Sequence, residues 1–167
     1  EAEYIEMIRL KTSVLLACAL KMGAILADAP QEDADNLYRF GEMMGLAFQL
    51  QDDLLDVYGD PKVFGKAVGG DITSNKKTYM LINALLRADD RQRRELQRWI
   101  DAKDFDRDEK VKAVTKLYDE IGIKALCEQK INYYFEECKQ YLAKVQVSDD
   151  RKQSLRAFTA DLMEREY

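Results

Sequence analysis

The sequence predicts an all-α chain. Three observations point there: two prolines in 167 residues, apolar side chains recurring at helical spacing over most of the length, and little of the alternation that marks strands.

A first helix is expected over residues 3–28, ending before Pro30 because a proline pushes the residue ahead of it out of the helical region. A second covers 31–58, where Leu37, Phe40, Gly41, Met44, Phe48, Leu55 and Tyr58 fall near helical spacing. Gly59 is a natural stop, and Pro61 prevents the helix from resuming at once. Ser74 is the expected N-cap of a third helix carrying Tyr79, Ile82, Leu85 and Leu86, since its hydroxyl can accept from the first free amides. Asp89 and Asp90 read as the turn and start of a short helix with Leu96, Trp99 and Ile100. The stretch 101–112, dense in both charges, reads as a solvated loop and helix start. A long helical pattern from 107 to 145 carries Val111, Val114, Leu117, Tyr118 and Ile121, breaks at Gly122, and resumes with Leu126, Ile131, Tyr134, Phe135, Tyr141, Leu142 and Val145. The Tyr133, Tyr134, Phe135 cluster reads as core or helix interface. Ser148 is the expected cap of a last helix, in which Leu155, Phe158 and Leu162 recur at i, i+3 and i+7. With no internal repeat or interdomain linker, residues 1–167 are expected to form part of one domain with a real core.

Composition narrows the function classes. A net charge of −5 argues against general nucleic-acid binding, which shows a basic surface, but leaves room for an anionic substrate where lysines and a metal reverse the field locally. The chain has no histidine, which removes His-activated nucleophiles and His-rich zinc sites. Cys18, Cys127 and Cys138 are odd in number and lack CxxC spacing, so they are expected as small buried apolar residues in a reducing, cytoplasmic setting. The longest apolar run, Val14 to Leu20, lies between Lys11 and Lys21 and is too short to span a bilayer.

The richest segment begins at Gln49 and runs through Asp52, Asp53 and Asp56 into a loop holding Gly59, Gly65, Lys66, Gly69, Gly70, Asp71, Lys76 and Thr78. At about 100° per residue, Asp52 and Asp56 share one helix face. Gln49 lies a turn earlier on nearly the same stripe, and Gly45 another turn back leaves room above it. Asp53 points about 100° aside and is expected to reach a metal only through water. Hard carboxylate oxygens in this number suit Mg²⁺, which takes one or two carboxylates plus phosphate oxygens and keeps several waters. The loop glycines let backbone approach a bulky anion, and Lys66 and Lys76 can donate to phosphate oxygens. Asp71 re-enters where it could bond metal-bound water. Taken separately, the aspartates would also serve as a solvated acidic face, and the loop as a flexible connection with paired surface charges.

Together, FQLQDDLLDVYGD, GK, GDI and NKKT resemble the second aspartate-rich region of the trans-isoprenyl diphosphate synthases, the polyprenyl synthetase family. Lys11 and Thr12, within IRLKTSVLLACAL, resemble that family's lysine–threonine pair on the preceding helix. The specific likeness runs from about residue 4 to residue 86. One departure is the double glycine, Gly69 and Gly70, before Asp71. A larger one is that a first aspartate-rich motif and the basic residues for isopentenyl diphosphate, found in the amino-terminal half of family members, are not in this chain. The chain is therefore expected to be the carboxy-terminal half of one isoprenoid synthase domain, the other reading being a natural half-length protein.

The resemblance implies an antiparallel helical bundle around an apolar cavity. The family's reaction is ionisation of an allylic diphosphate followed by attack of isopentenyl diphosphate on the cation. Residue by residue, it implies Asp52 as direct Mg²⁺ ligand, Asp53 and Asp56 as direct or water-mediated supports, and Asp71 acting through metal-bound water. Lys11, Lys66 and Lys76 would hold the allylic diphosphate. Thr12 and Gln49 would lie near the reacting carbon, with Phe48 lining the cavity or serving as core. Arg165 would reach the second diphosphate as terminal basic residues do in some members. A homodimer and a missing amino-terminal half are the expected partners. A non-catalytic partner subunit of an active synthase, or a bare helical metal- or phosphate-binding module, are the alternatives from other classes. Terpene cyclases share the ionisation chemistry, but the paired motifs fit chain-elongating enzymes better.

Overall fold

A computed structural model describes residues 1–60 and 68–163. Every regular element among them is helical: α1 (Ala2–Ile8), a π-helical turn (Arg9–Ser13), α2 (Val14–Leu26), α3 (Gln31–Tyr58), α4 (Gly70–Thr73), α5 (Tyr79–Arg87), α6 (Asp90–Asp101), α7 (Arg107–Ile121), α8 (Ile123–Lys144) and α9 (Asp149–Met163). The all-α expectation holds. The residues group into two compact units, one of Gln51–Gln129 and one of Ala2–Leu50 with residues from Lys130 onward.

In the second of these, Phe40 and Met44 of α3 pack with Cys138 and Leu142 of α8, flanked by Leu16, Leu20, Leu37, Tyr141, Leu155 and Leu162. The expected first helix is interrupted. The Val14 amide reaches back to the Arg9 carbonyl, an i→i+5 bond, and the resulting π-turn holds Lys11 and Thr12. Such single turns recur at functional sites. Two glycines of α3 make the close approach possible. A β-carbon on Gly41 would stand 2.8 Å from the Ala17 Cα, and one on Gly45 2.6 Å from the Ser13 Cα. Arg9, the first residue of the turn, donates to Glu42 at 3.0 Å, and Arg39 donates to the other oxygen of Glu42 at 2.7 Å.

The Gln51–Gln129 unit is built on sharp helix boundaries. Asp89 caps α6 with a reciprocal box: the Gln92 amide donates to Asp89 Oδ1 at 2.7 Å, and the Asp89 amide donates to Gln92 Oε1 at 3.0 Å. Asp106 accepts from the amides of Asp108 and Glu109 to start α7. Gly122, at φ 80°, ends α7 where the sequence places the break. The third expected helix begins later than Ser74: Ser74 instead closes the short α4, and Thr78 caps α5, accepting from the Leu81 amide at 3.3 Å. The cause is Asn75, whose φ of 51° turns the chain out of the helical region.

Burial corrects two further expectations. Cys127 and Cys138 are buried, but Cys18 is exposed. The charge-dense stretch 101–112 is mostly exposed, yet its Lys110 is only 1% exposed. Of the aromatic cluster, Tyr134 and Phe135 are buried and Tyr133 is exposed.

Candidate active site

Asp52, Asp53 and Asp56 lie in the last turns of α3, in the Gln51–Gln129 unit, which also holds Asp71 and Lys76. Gly69, at φ 88°, opens α4, and a β-carbon there would meet Val111 at 2.5 Å. A β-carbon on Gly70 would lie 3.2 Å from Asp56 Oδ1. The double glycine thus brings the backbone ahead of Asp71 down onto α3. The Gly69 amide donates to the Asp56 carbonyl at 2.5 Å, and the Asp71 amide donates to Asp56 Oδ2 at 2.8 Å. Asp56 anchors the start of α4 with both backbone and side chain.

Lys76 closes the arrangement. Its Nζ donates to Asp53 Oδ1 at 3.0 Å and to Asp71 Oδ2 at 2.8 Å. Asp53, expected to stand aside from the other acids, is a buried member of this bridge. Asp52 is half-buried on the same helix. The electrostatics follow from burial and neighbours. Desolvation raises the Asp56 carboxyl above the ordinary aspartate value despite its bond from the Asp71 amide. Burial pulls Lys76 down, but the carboxylates of Asp71 and Asp53 overcome it and leave the ammonium above the ordinary lysine value. The site is a concentrated negative field that already draws a cation.

The remaining expected residues are placed differently. Lys11 is exposed and Thr12 half-buried on the π-turn, and Phe48 and Gln49 are half-buried on α3. All four belong to the other unit. Lys66 and Arg165 lie outside the described residues.

The donor set suits a hard cation such as Mg²⁺. Among the described residues, no three acidic or cysteine side chains are grouped closely enough to hold an ion by themselves.

A polyprenyl synthetase family profile matches residues 1–118. The chain belongs to the polyprenyl synthetase family. Among curated relatives of this polyprenyl synthetase chain, a short chain isoprenyl diphosphate synthase from Methanocaldococcus jannaschii is 39% identical over 115 residues, covering 69% of this chain and 35% of the relative. The crystal structure of a geranylgeranyl pyrophosphate synthase superposes with a TM-score of 0.90 at 36% identity, over 99% of this chain and 52% of that one. A geranylgeranyl pyrophosphate synthase from Corynebacterium glutamicum, complexed with isoprenyl diphosphate and magnesium, gives a TM-score of 0.86 at 30% identity, over 98% of this chain and 46% of that one. The chain spans between about a third and a half of the length of these relatives. No helix among the described residues is long and apolar enough to cross a membrane.

Two residues beside this candidate site were given no role from the sequence. Asn75, the first residue of NKKT, turns the chain before Lys76, and Lys110 donates to the Asn75 side chain at 2.7 Å. Asn75 carried a faint signal, since asparagine is among the few non-glycine residues that enter the left-handed region readily. Lys110 carried none, being one cation in a run of charges.

Proposed function

We propose that the chain contributes the aspartate-rich half of a prenyltransferase site, at which an allylic diphosphate ionises and condenses with isopentenyl diphosphate. The observation that carries this reading is the Lys76 ammonium between Asp53 and Asp71. Carboxylates from two chain segments and an ammonium meet at one place, the chemistry needed to grip a metal ion and a departing anion.

Asp52 would hold Mg²⁺ directly, with Asp53 and Asp56 as direct or water-mediated supports and Asp71 acting through metal-bound water; the ion supplies Lewis acidity toward the diphosphate oxygens when bound. Lys76, with Lys11 and Lys66, would neutralise the leaving group by direct donation. Thr12 and Gln49 would turn oxygen dipoles toward the developing cation, and Phe48 would help exclude water from it. Asp56 orients Asp71 through its backbone amide. No strong side-chain base is needed, so a chain without histidine can serve. The same reading takes a homodimer as the assembly and expects no condensation by the 167-residue chain alone.

Calorimetric titration of this chain with inorganic pyrophosphate tests the reading. Binding that requires Mg²⁺ and weakens by about tenfold or more in Lys76→Met and Asp53→Asn supports it. No binding, or binding indifferent to both Mg²⁺ and these substitutions, overturns it.

A further inference from the structure

Lys110 is 1% exposed. A lysine buried to this degree ordinarily has a carboxylate partner. Among the described residues, its contacts are instead neutral. Its Nζ donates to Asn75 Oδ1 at 2.7 Å and lies 4.2 Å from the centre of the Phe105 ring, a cation–π geometry. Burial accordingly pulls its pKa below the ordinary lysine value. The amide end of Asn75 is held as well: Nδ2 donates to the Ile100 carbonyl at 3.0 Å. Asn75 is thus tied at one end to the last turn of α6 and at the other to the first turn of α7, while its backbone sits at φ 51°.

That backbone conformation decides where the next residue goes. The Asn75 amide bonds the Ile72 carbonyl at 3.2 Å, and the Lys76 amide bonds the Asp71 carbonyl at 2.9 Å, closing α4. Lys76 leaves this turn directly toward Asp53 and Asp71. A cavity of about 10 Å³, enough for one water, is bordered by Asp71, Asn75, Lys76 and Lys110 among others, so the four residues are neighbours in space.

We infer that Lys110 is a positioning residue: through Asn75 it holds the left-handed turn that sets Lys76 between Asp53 and Asp71. Its importance for diphosphate binding rests on the function proposed above, whereas its hold on the turn does not. The cost of burying an ammonium with neutral partners is hard to explain as stabilisation alone, since an apolar side chain of similar length would fill the space more cheaply.

The test uses the 167-residue chain with two substitutions. Lys110→Met removes the donor and keeps the aliphatic stem. Asn75→Gly keeps the left-handed backbone accessible and removes the tether. Amide hydrogen exchange at Lys76, thermal melting, and calorimetric titration with inorganic pyrophosphate at saturating Mg²⁺ are compared with the unsubstituted chain. The expected result is exchange at Lys76 faster by about tenfold or more in both variants. Pyrophosphate affinity should fall by a similar factor, with the melting temperature of Lys110→Met little changed. Unchanged exchange at Lys76 in both variants overturns the inference. So does faster exchange with full retention of pyrophosphate affinity, because the turn would then not govern the site. If the unsubstituted chain binds no pyrophosphate, the functional reading fails, and exchange alone decides whether Lys110 positions Lys76. Should Lys110→Met fail to fold, Asn75→Gly decides the question.

Discussion

Gly45 and Ser13 are in contact with no room for a methyl group: a β-carbon at Gly45 would stand 2.6 Å from the Ser13 Cα and 2.7 Å from its Oγ. Ser13 closes the π-turn that carries Lys11 and Thr12, so the glycine determines how near that turn comes to α3. Alanine is the better helix former by roughly 1 kcal/mol, but here the clash is with backbone, which cannot swing aside. Gly45→Ala is expected to lower stability by about 1–3 kcal/mol, read from urea unfolding. A variant as stable as the parent would show that the Gly45–Ser13 contact can open to admit a methyl group.

Glu42 is expected to be the most sensitive member of the ion network beside that turn. It is 3% exposed and accepts from Arg9 and Arg39. Removing it leaves two guanidinium groups without their shared anion, although both are exposed enough to recover some hydration. Glu42→Ala should cost about 2–3 kcal/mol, toward the lower end for broken buried pairs. Glu42→Gln should cost less, because an amide oxygen still accepts one of the two bonds. Chemical denaturation of both variants checks the order, and a larger loss in Glu42→Gln would refute it.

Asp56 is expected to separate folding from binding. Asp56→Ala removes the acceptor for the Asp71 amide and should cost about 1 kcal/mol, as loss of a helix cap does. Asp56→Asn keeps an acceptor oxygen and should recover most of that stability. Both should lose Mg²⁺-dependent pyrophosphate affinity, since neither offers a carboxylate. Retained affinity in Asp56→Asn would assign Asp56 a purely structural task.

Alkaline pH is expected to destabilise the fold. Burial pushes the thiols of Cys127 and Cys138 up to about 12 and raises the Tyr58 and Tyr118 hydroxyls above the ordinary tyrosine value. A group whose pKa is raised by folding gives full stability below its unfolded pKa and loses it as pH rises through the folded one. The unfolded thiols ionise near 9, so stability should decline from there upward. Lys110 works the opposite way, because its lowered pKa makes the folded state release a proton first. In Cys127→Ala/Cys138→Ala, the proton uptake difference inferred from stability against pH should shrink by about two near pH 10.5. An unchanged slope would mean the thiols are not held protonated.

Much of the fold was legible because its signals are local. Pro30 bounds the first helical segment, Asp89 starts α6, and Gly122 ends α7, each through chemistry within a few residues. The motif from Gln49 to Thr78 likewise carried the family, since its residue types and spacing are themselves the mark. The exact joins were less legible. Ser74 looks as good an N-cap as Thr78 until Asn75 is seen to turn the chain between them.

By itself, the sequence determined that this protein is helical, where most helices start and stop, and to which family it belongs. Only the tertiary structure decided that Lys11 and Thr12 sit on a π-turn, that Asp53 shares Lys76 with Asp71, and that Lys110 is buried. The reason is reach: helical periodicity and capping are written within a turn or two of chain. The Gly45–Ser13 approach and the Lys110–Asn75 bond, 35 residues apart in sequence, depend on packing that no single segment contains.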